Sequence, residues 1–360
     1  MPTSNIIFGG LIGKIIGKNK YMSVIQKLFD SDFVKTFFKK TILIQYPDFI
    51  DVKKVVIKPY KKQIWGDTYH VVIEFRTQFI TKDNKVKELP IFCSAHSDEP
   101  RENVFKALKY LWEQGFSKGF CTIPHPLFFS QEFNATFYRG VSGHNLYHYI
   151  RLNDREIIDE IIPKVAQWFA KLHKLPVDNA FNFNPENSRL KTVIPGSSHI
   201  LRVIKNLYPE HFDLYQKAYK IFIQKEEEFL NSTKQRWIVH GDAHPENIIK
   251  MGRRKIGVID FTDLCLSDFA RDLGSFLQQI EFMIRRKMQD EPYVAKVKEN
   301  FLENYLKSAN IELTPDLQAR IDNYYNWTNI RTATFFLIKA NPEPQRAIPL
   351  LESIKKNLNI

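Results

Sequence analysis

Three side chains in the second half of the chain have the types and spacing to do chemistry together: Asp242, Asn247 and Asp260. Carboxylate and amide oxygens are ligands for a hard divalent cation such as Mg2+. A carboxylate within reach of a hydroxyl can also take up its proton. Moving a phosphoryl group from a nucleotide to a hydroxyl asks for this combination, because the reaction depends on positioning and charge neutralisation more than on covalent help from the protein. The surrounding elements suit the task. Trp237-Ile238-Val239 is a β-branched run that reads as a buried strand. Residues 240–246 form a polar turn, 247–250 a second strand, 251–255 a turn carrying Gly252, and 256–259 a third strand. The three residues are therefore expected on loops fixed by a small sheet, where catalytic groups tend to sit.

Plainer readings exist. Asp242 is at home in a tight turn, and Asn247 fits an ordinary loop amide. His240-x-Asp242-x-His244 also has the look of a transition-metal site, which would make the chain a metallohydrolase. The turn reading leaves the recurrence of Asp, Asn and Asp unexplained, and the metal reading leaves Asn247 and Asp260-Phe261 without a role.

The loop His240-Gly241-Asp242-Ala243-His244-Pro245-Glu246-Asn247 and the later Ile259-Asp260-Phe261 resemble the aminoglycoside phosphotransferase and choline kinase family of small-molecule kinases, which writes them His-Gly-Asp-x-x-x-x-Asn and Ile-Asp-Phe. The Asp-to-Asn spacing is that of a kinase catalytic loop, and Thr262 stands where the metal-binding Asp-Phe-Gly has its glycine. The resemblance implies an α+β, two-lobed protein-kinase-like fold, with a small antiparallel-sheet lobe and a larger, mainly helical lobe. Residues 1–137 would form the N-terminal helices and the nucleotide-covering lobe, 138–141 the hinge, and 142–360 the catalytic lobe. The implied activity moves the γ-phosphate of ATP or GTP to a hydroxyl of a small molecule, with Asp242 as base and Mg2+ held by Asn247 and Asp260. His240 would shape the loop through backbone hydrogen bonds, Asp272 would buttress it, and His173 would pack beneath it. The hinge backbone, with Tyr138, Arg139 and Val141, would hold the nucleotide base, and Gly143 matches the glycine that follows the hinge. Glu102 fits the glutamate that pairs with a phosphate-gripping lysine on the third strand. That lysine is missing, because Ile91-Phe92-Cys93-Ser94-Ala95-His96 stands in its place. Lys58, Lys87 and Arg76 are substitutes among which the sequence does not choose. The gap also leaves open a pseudokinase that binds a partner and turns nothing over.

The whole chain is consistent with this frame. Its 360 residues, 44% hydrophobic, can build a sizeable core in one large or two modest domains. A net charge of +12 points to anionic partners or to a lysine-rich solvated surface. No aromatic-interleaved basic motif or zinc finger appears, so no nucleic acid is expected as a partner. Because choline and the aminoglycosides are cations, the charge also leans towards a neutral or anionic acceptor. Cys93, Cys121 and Cys265 are isolated and odd in number, which argues for a reducing compartment and a cytoplasmic location. Residues 6–17 are apolar but too short for a membrane span and carry Lys14, so a frayed terminus is preferred over contact with a membrane surface.

Taken in order, residues 21–40 have helical spacing with a break near Asp30-Ser31-Asp32. Strands follow from Val55, over 69–80 and over 88–95, then a helix over 100–114 with Gly115 after its end. A hairpin over 128–141, a helix over 154–175, a loop over 177–196 and helical segments over 197–230 lead to the catalytic stretch. Residues 267–274 are expected to open the next helix, with Asp268 as its cap or, like Asp263, facing the acceptor. The helix over 317–340 carries Tyr324, Tyr325, Trp327 and Phe335, for which core packing is preferred over a pocket wall.

Overall fold

A computed structural model describes residues 24–177 and 181–360. The apolar stretch at 6–17 lies outside them. The chain divides into two compact units, with the boundary between Ser142 and Gly143.

The N-terminal unit is built on a five-stranded antiparallel sheet. Its strands are β1 (Phe49–Trp65), β2 (Thr68–Thr81), β3 (Val86–His96), β5 (His125–Ser130) and β6 (Ala135–Arg139), in the order β1-β2-β3-β6-β5. The short β4 (Cys121–Thr122) precedes β5. Side chains alternate across the sheet, so each face has its own character. Ile73, Phe75, Ile91, Cys93, Ala135 and Phe137 are buried on one face. Helix α1 (Ser31–Thr41) covers it, with Phe38 edge-on to Phe75 at 5.2 Å. The expected break near Asp30 is the cap of this helix: Asp30 Oδ1 accepts the N–H groups of Asp32 at 2.9 Å and Phe33 at 3.1 Å. On the other face the strand register lines up Lys58, Glu74, Phe92 and Tyr138, one per strand. Helix α2 (Arg101–Leu111) lies over the same face further along, where the Thr136 hydroxyl donates to the Arg101 carbonyl at 2.6 Å.

The C-terminal unit is mainly helical: α3 (Leu146–Arg151), α4 (Arg155–His173), α5 (Ser197–Leu207), α6 (Phe212–Ser232), α7 (Ala270–Met288), α8 (Glu291–Ala309), α9 (Pro315–Ile338) and α10 (Pro344–Leu358). Phe169 of α4, Phe276 of α7 and Phe301 of α8 meet in its core, with Phe276 and Phe301 centroids 4.5 Å apart. The strands expected around the loops form two sheets rather than one. β9 (Ile248–Met251) pairs with β10 (Lys255–Val258) and with β7 (His144–Asn145), all antiparallel. β8 (Trp237–Val239) instead pairs with β11 (Cys265–Ser267). The helix expected to open over 267–274 therefore does not start at Ser267, whose backbone is taken up by pairing with Trp237 of β8. Helix α7 begins after β11, where Asp268 Oδ1 accepts the Ala270 N–H at 3.1 Å. The described cysteines are buried and form no disulfide with one another. No helix among the described residues is long and apolar enough to cross a membrane.

Candidate active site

The loop between β8 and β9 carries the first two candidate residues, and four elements fix its backbone. Asp272, in the first turn of α7, accepts the His240 N–H on Oδ2 at 2.7 Å and the Gly241 N–H on Oδ1 at 2.9 Å. His173 at the end of α4 places Nε2 3.1 Å from the same Oδ2, and its Nδ1 is 2.9 Å from the Tyr305 hydroxyl of α8. Burial pushes the Asp272 carboxyl up, but hydrogen bonding and charge from His173, with His240 and the Gly241 N–H, bring it below the usual carboxylate value. His240 Nε2 donates to the Ile259 carbonyl at 3.0 Å and Nδ1 accepts the Asp242 N–H at 3.3 Å, which fixes its tautomer. Arg271 Nη2 donates to the Gly241 carbonyl at 3.1 Å. Gly241 has φ +81°, and a Cβ there would meet the Asp263 carbonyl oxygen at 2.4 Å. Glycine alone lets the loop press this closely on residues 260–264.

Asp242 and Asn247 are brought together at the ends of this loop. Asn247 Nδ2 donates to the Asp242 carbonyl at 3.0 Å and reaches its Oδ2 at 3.3 Å. The planar amide leaves Oδ1 as its free coordinating atom. The Asn247 carbonyl accepts the Ile259 N–H at 3.0 Å, so Asp260 is held beside it. Asp260 adopts φ +66°, a left-handed conformation that Asp tolerates better than most residues. The Thr262 hydroxyl donates to Asp260 Oδ1 at 2.8 Å. The threonine that replaces the expected glycine therefore orients the carboxylate.

His244 Nδ1 accepts the Glu246 N–H at 3.2 Å, and Nε2 lies 3.3 Å from Asp242 Oδ2, at ion-pair distance but off the hydrogen-bonding line. Burial would raise the Asp242 pKa, but His244 first, then His240 and Arg331, hold it well below the carboxylate range. Burial lowers the His244 pKa; Asp242, Glu246 and Asp260 more than offset this and raise it. Asp263, whose Oδ1 accepts from Asn187 Nδ2 at 2.7 Å, is pushed up to about 7 by burial and the Asp242 charge, with Arg331 opposing.

The donor set formed by Asn247 Oδ1 and Asp260 is all oxygen and suits Mg2+. The transition-metal alternative finds no geometry here. Both histidines of His240-x-Asp242-x-His244 are taken up by the loop, on the Ile259 carbonyl and the Glu246 N–H. Among the described residues no three His, Cys, Asp or Glu side chains converge on a metal position.

In the N-terminal unit, Tyr138 stacks parallel to Phe92 at 5.8 Å. The Phe92 ring lies so close to Gly140 that a Cβ there would meet it at 2.3 Å. Arg139 ends β6, opposite His125 and Ile91, and Val141 follows in the connection. Glu102 faces away from the sheet and pairs with Lys106 along α2 at 3.2 Å. The charged α2 side chain that is buried, beside the apolar Val104, Ala107, Leu108 and Leu111, is Arg101, 2.7 Å from Glu99. A different acid sits on the sheet face. Glu74 is buried, with Oε1 3.1 Å from Arg76 Nε and Oε2 3.8 Å from Lys58 Nζ, and the Tyr60 hydroxyl donates to it at 3.0 Å. Lys87 lies on the opposite face, over the Phe49 ring at 5.9 Å. Glu74 and Arg331 carry no signal in the sequence; Thr262 stands out only as the odd residue in a motif, and His244 only as a ligand in the metallohydrolase alternative.

The sequence profile described as "Phosphotransferase enzyme family" matches residues 57–309. No curated protein matches the sequence significantly. Solved structures similar in fold include a spectinomycin phosphotransferase complexed with ADP and spectinomycin, at 14% identity and TM-score 0.52, covering 91% of this chain and 94% of that one. APH(2″)-IIa in a ternary complex with streptomycin and ATP matches at 13% identity and TM-score 0.53, covering 91% and 96%. An ethanolamine kinase of Plasmodium vivax matches at 12% identity and TM-score 0.52, covering 83% and 81%. At these identities the likeness establishes the two-lobed protein-kinase-like fold.

Proposed function

The chain belongs to the phosphotransferase enzyme family, and we propose that it moves the γ-phosphate of ATP or GTP to a hydroxyl of a small molecule at the loop of residues 240–247. The observation that carries this reading is the Asp242–Asn247–Asp260 arrangement, in which the Asn247 amide reaches the Asp242 side chain and the Asn247 carbonyl fixes the backbone next to Asp260. Asn247 and Asp260 would hold Mg2+, which when bound neutralises charge on the phosphate oxygens. Asp242, kept ionised by His244, orients the acceptor hydroxyl and takes its proton as the new oxygen–phosphorus bond forms. The bond from the γ-phosphorus to the β–γ bridging oxygen breaks, and the nucleoside diphosphate leaves with that oxygen. Asp272, His173 and Tyr305 keep the loop in register, and Thr262 aims Asp260.

The nucleotide is proposed to lie against the Phe92–Tyr138 face, with its base on the backbone of residues 138–141. Lys58 and Arg76, gathered on Glu74, are the cations that take the place of the missing third-strand lysine, while Glu102 is paired with Lys106. Spectinomycin, streptomycin and ethanolamine are small hydroxylated molecules, and an acceptor of that general class is proposed here. The missing lysine also keeps the pseudokinase reading alive. Melting the protein with ATP or GTP, with and without Mg2+, separates the two, because a ligand that binds the native state raises the midpoint. A Mg2+-dependent rise lost in Asp260→Ala, with nucleotide turnover lost in Asp242→Asn, is expected. No rise at millimolar nucleotide would overturn the kinase reading.

A further inference from the structure

Arg331 lies on α9, one helical turn after Trp327, with its guanidinium 4.8 Å from the centroid of that indole. Arg271 lies 5.2 Å from the same ring. Arg271 is engaged on the Gly241 and Asn187 carbonyls. Arg331 is not engaged in this way: among the described residues no carboxylate lies within ion-pair distance of it and no acceptor hydrogen-bonds it. Stacking on Trp327 fixes the plane of the guanidinium without satisfying its five donors. Arg271 links this stack to the reacting loop, since it sits on the same indole and donates to the Gly241 carbonyl at 3.1 Å, and the Arg331 charge is accordingly felt at Asp242 and Asp263.

Two buried polar atoms lie where α6 packs on α9: the Tyr215 hydroxyl meets Thr334 at 3.0 Å, and Tyr219 follows one turn along α6, its ring 6.4 Å from that of Tyr215. Trp327 is 1% exposed and Tyr219 is 2% exposed. Neither the indole Nε1 nor the phenol oxygen has a hydrogen-bond partner among the described residues. Buried polar groups are nearly always paired, so this group asks for a ligand. The indole N–H and the guanidinium are donors, and a phenol donates as readily as it accepts. A cluster of donors around one fixed positive charge complements an oxyanion. An ammonium group would meet a like charge on Arg331.

Resting on the phosphotransferase reading of the loop, we infer that Arg331, with Trp327 and Tyr219, selects an acceptor that carries a phosphate or carboxylate group beside its reacting hydroxyl. The acid group binds the guanidinium while the hydroxyl reaches Asp242. Hydrogen bonds to charged groups give the selection its size, and a roughly ten- to hundredfold preference over the uncharged counterpart is expected.

The test uses the full chain, Mg2+ and whichever nucleotide binds. Two acceptor sets each share a carbon skeleton: glucose, glucuronate, glucose 6-phosphate and glucosamine; and glycerol, glycerate, glycerol phosphate and 3-amino-1,2-propanediol. Phosphoryl transfer and the rise in melting midpoint are read for each compound, in wild type, Arg331→Gln and Arg331→Lys. At least one acid should exceed its neutral partner about tenfold or more in kcat/KM, or stabilise saturably where the neutral partner does not. The carboxylate and phosphate arms say which acid is used. The ratio of acid to neutral should fall towards one in Arg331→Gln and recover in part in Arg331→Lys. Preference for an amino compound, equal use of acid and neutral, an acid preference that survives Arg331→Gln, or no acid reacting or binding would each overturn the inference. Loss of Mg2+-dependent nucleotide stabilisation in the wild type is a separate failure, of the kinase reading itself. The acid-to-neutral difference in melting midpoint would then still decide the role of Arg331.

Discussion

Asp242, partly exposed, and the buried His244 form an acid–base contact in which each sets the other's charge. Removing His244 takes away the largest influence that keeps Asp242 ionised, and burial then pushes its pKa up. The acidic limb of the kcat profile of His244→Gln should therefore move to higher pH. An unmoved limb would show that His244 only packs. Thr262 acts on the other carboxylate, since its hydroxyl holds Asp260 Oδ1 at 2.8 Å. Partners of metal ligands typically tune affinity about 10–100-fold. Thr262→Ala should raise the Mg2+ concentration needed for half-maximal nucleotide stabilisation by about tenfold, with little change in global stability; an unchanged Mg2+ requirement would remove Thr262 from the site. The spacing from Asp242 to Asn247 was legible because a single short loop carries both. Arg331 was not, because nothing local marks which side chain of a distant helix arrives near that loop, and Glu74 was not, because only strand pairing gathers Lys58, Tyr60 and Arg76 on it.

At the scale of elements, Asp272 joins α7 to the loop, to α4 and, through His173, to α8. It is fully buried, and replacing it with Ala leaves the His240 and Gly241 N–H groups without their acceptor. Breaking a buried charged contact of this kind costs about 3–5 kcal/mol, which denaturant unfolding of Asp272→Ala should show. The pH dependence has a definite sign. A carboxyl whose pKa is lowered on folding stabilises the protein above its unfolded pKa, and that contribution is lost as pH falls through the folded value. Asp272→Asn should therefore flatten the acid side of the stability profile, and a parallel profile would contradict the assignment. The long elements were readable for a physical reason: β2 is dense in β-branched and aromatic residues, and Asp30 is a helix cap by its chemistry. The partner of β8 was not readable, since Cys265-Leu266-Ser267 is too short to show a period and its pairing is decided by tertiary contact. The missing third-strand lysine was legible as a gap. Only the strand register shows that Lys58 and Arg76 share a face with Phe92, while Lys87 does not.

For the molecule as a whole, one buried acid is expected to shape stability near neutral pH. Glu226 on α6 accepts the Leu190 N–H at 2.8 Å and the Tyr324 hydroxyl at 3.3 Å, tying the 181–196 loop and α9 to one carboxyl. Burial raises its pKa from 4.5 to about 7, against the lowering effects of the Leu190 N–H and of Arg271. Between these values the folded protein holds a proton that the unfolded chain has released. Stability from this group is therefore present below about 4.5 and is lost as pH rises towards 7, by up to roughly 3 kcal/mol. Glutamine keeps the shape without the charge, its Oε1 accepting the Leu190 N–H and its Nε2 donating to the Tyr324 oxygen, so Glu226→Gln should remove the decline between pH 5 and about 7 and leave the protein more stable at about pH 8. Because the chain has two compact units, the comparison belongs to the transition of the C-terminal one, followed by a probe specific to that unit, since a single midpoint for both would blur it. A wild-type C-terminal transition that is flat across this range, or a decline that persists in Glu226→Gln, would show that the carboxyl is ionised in the fold. The Leu190 N–H and the positive field of Arg271 would then outweigh burial, and the loop would be anchored to a charge rather than to an acid.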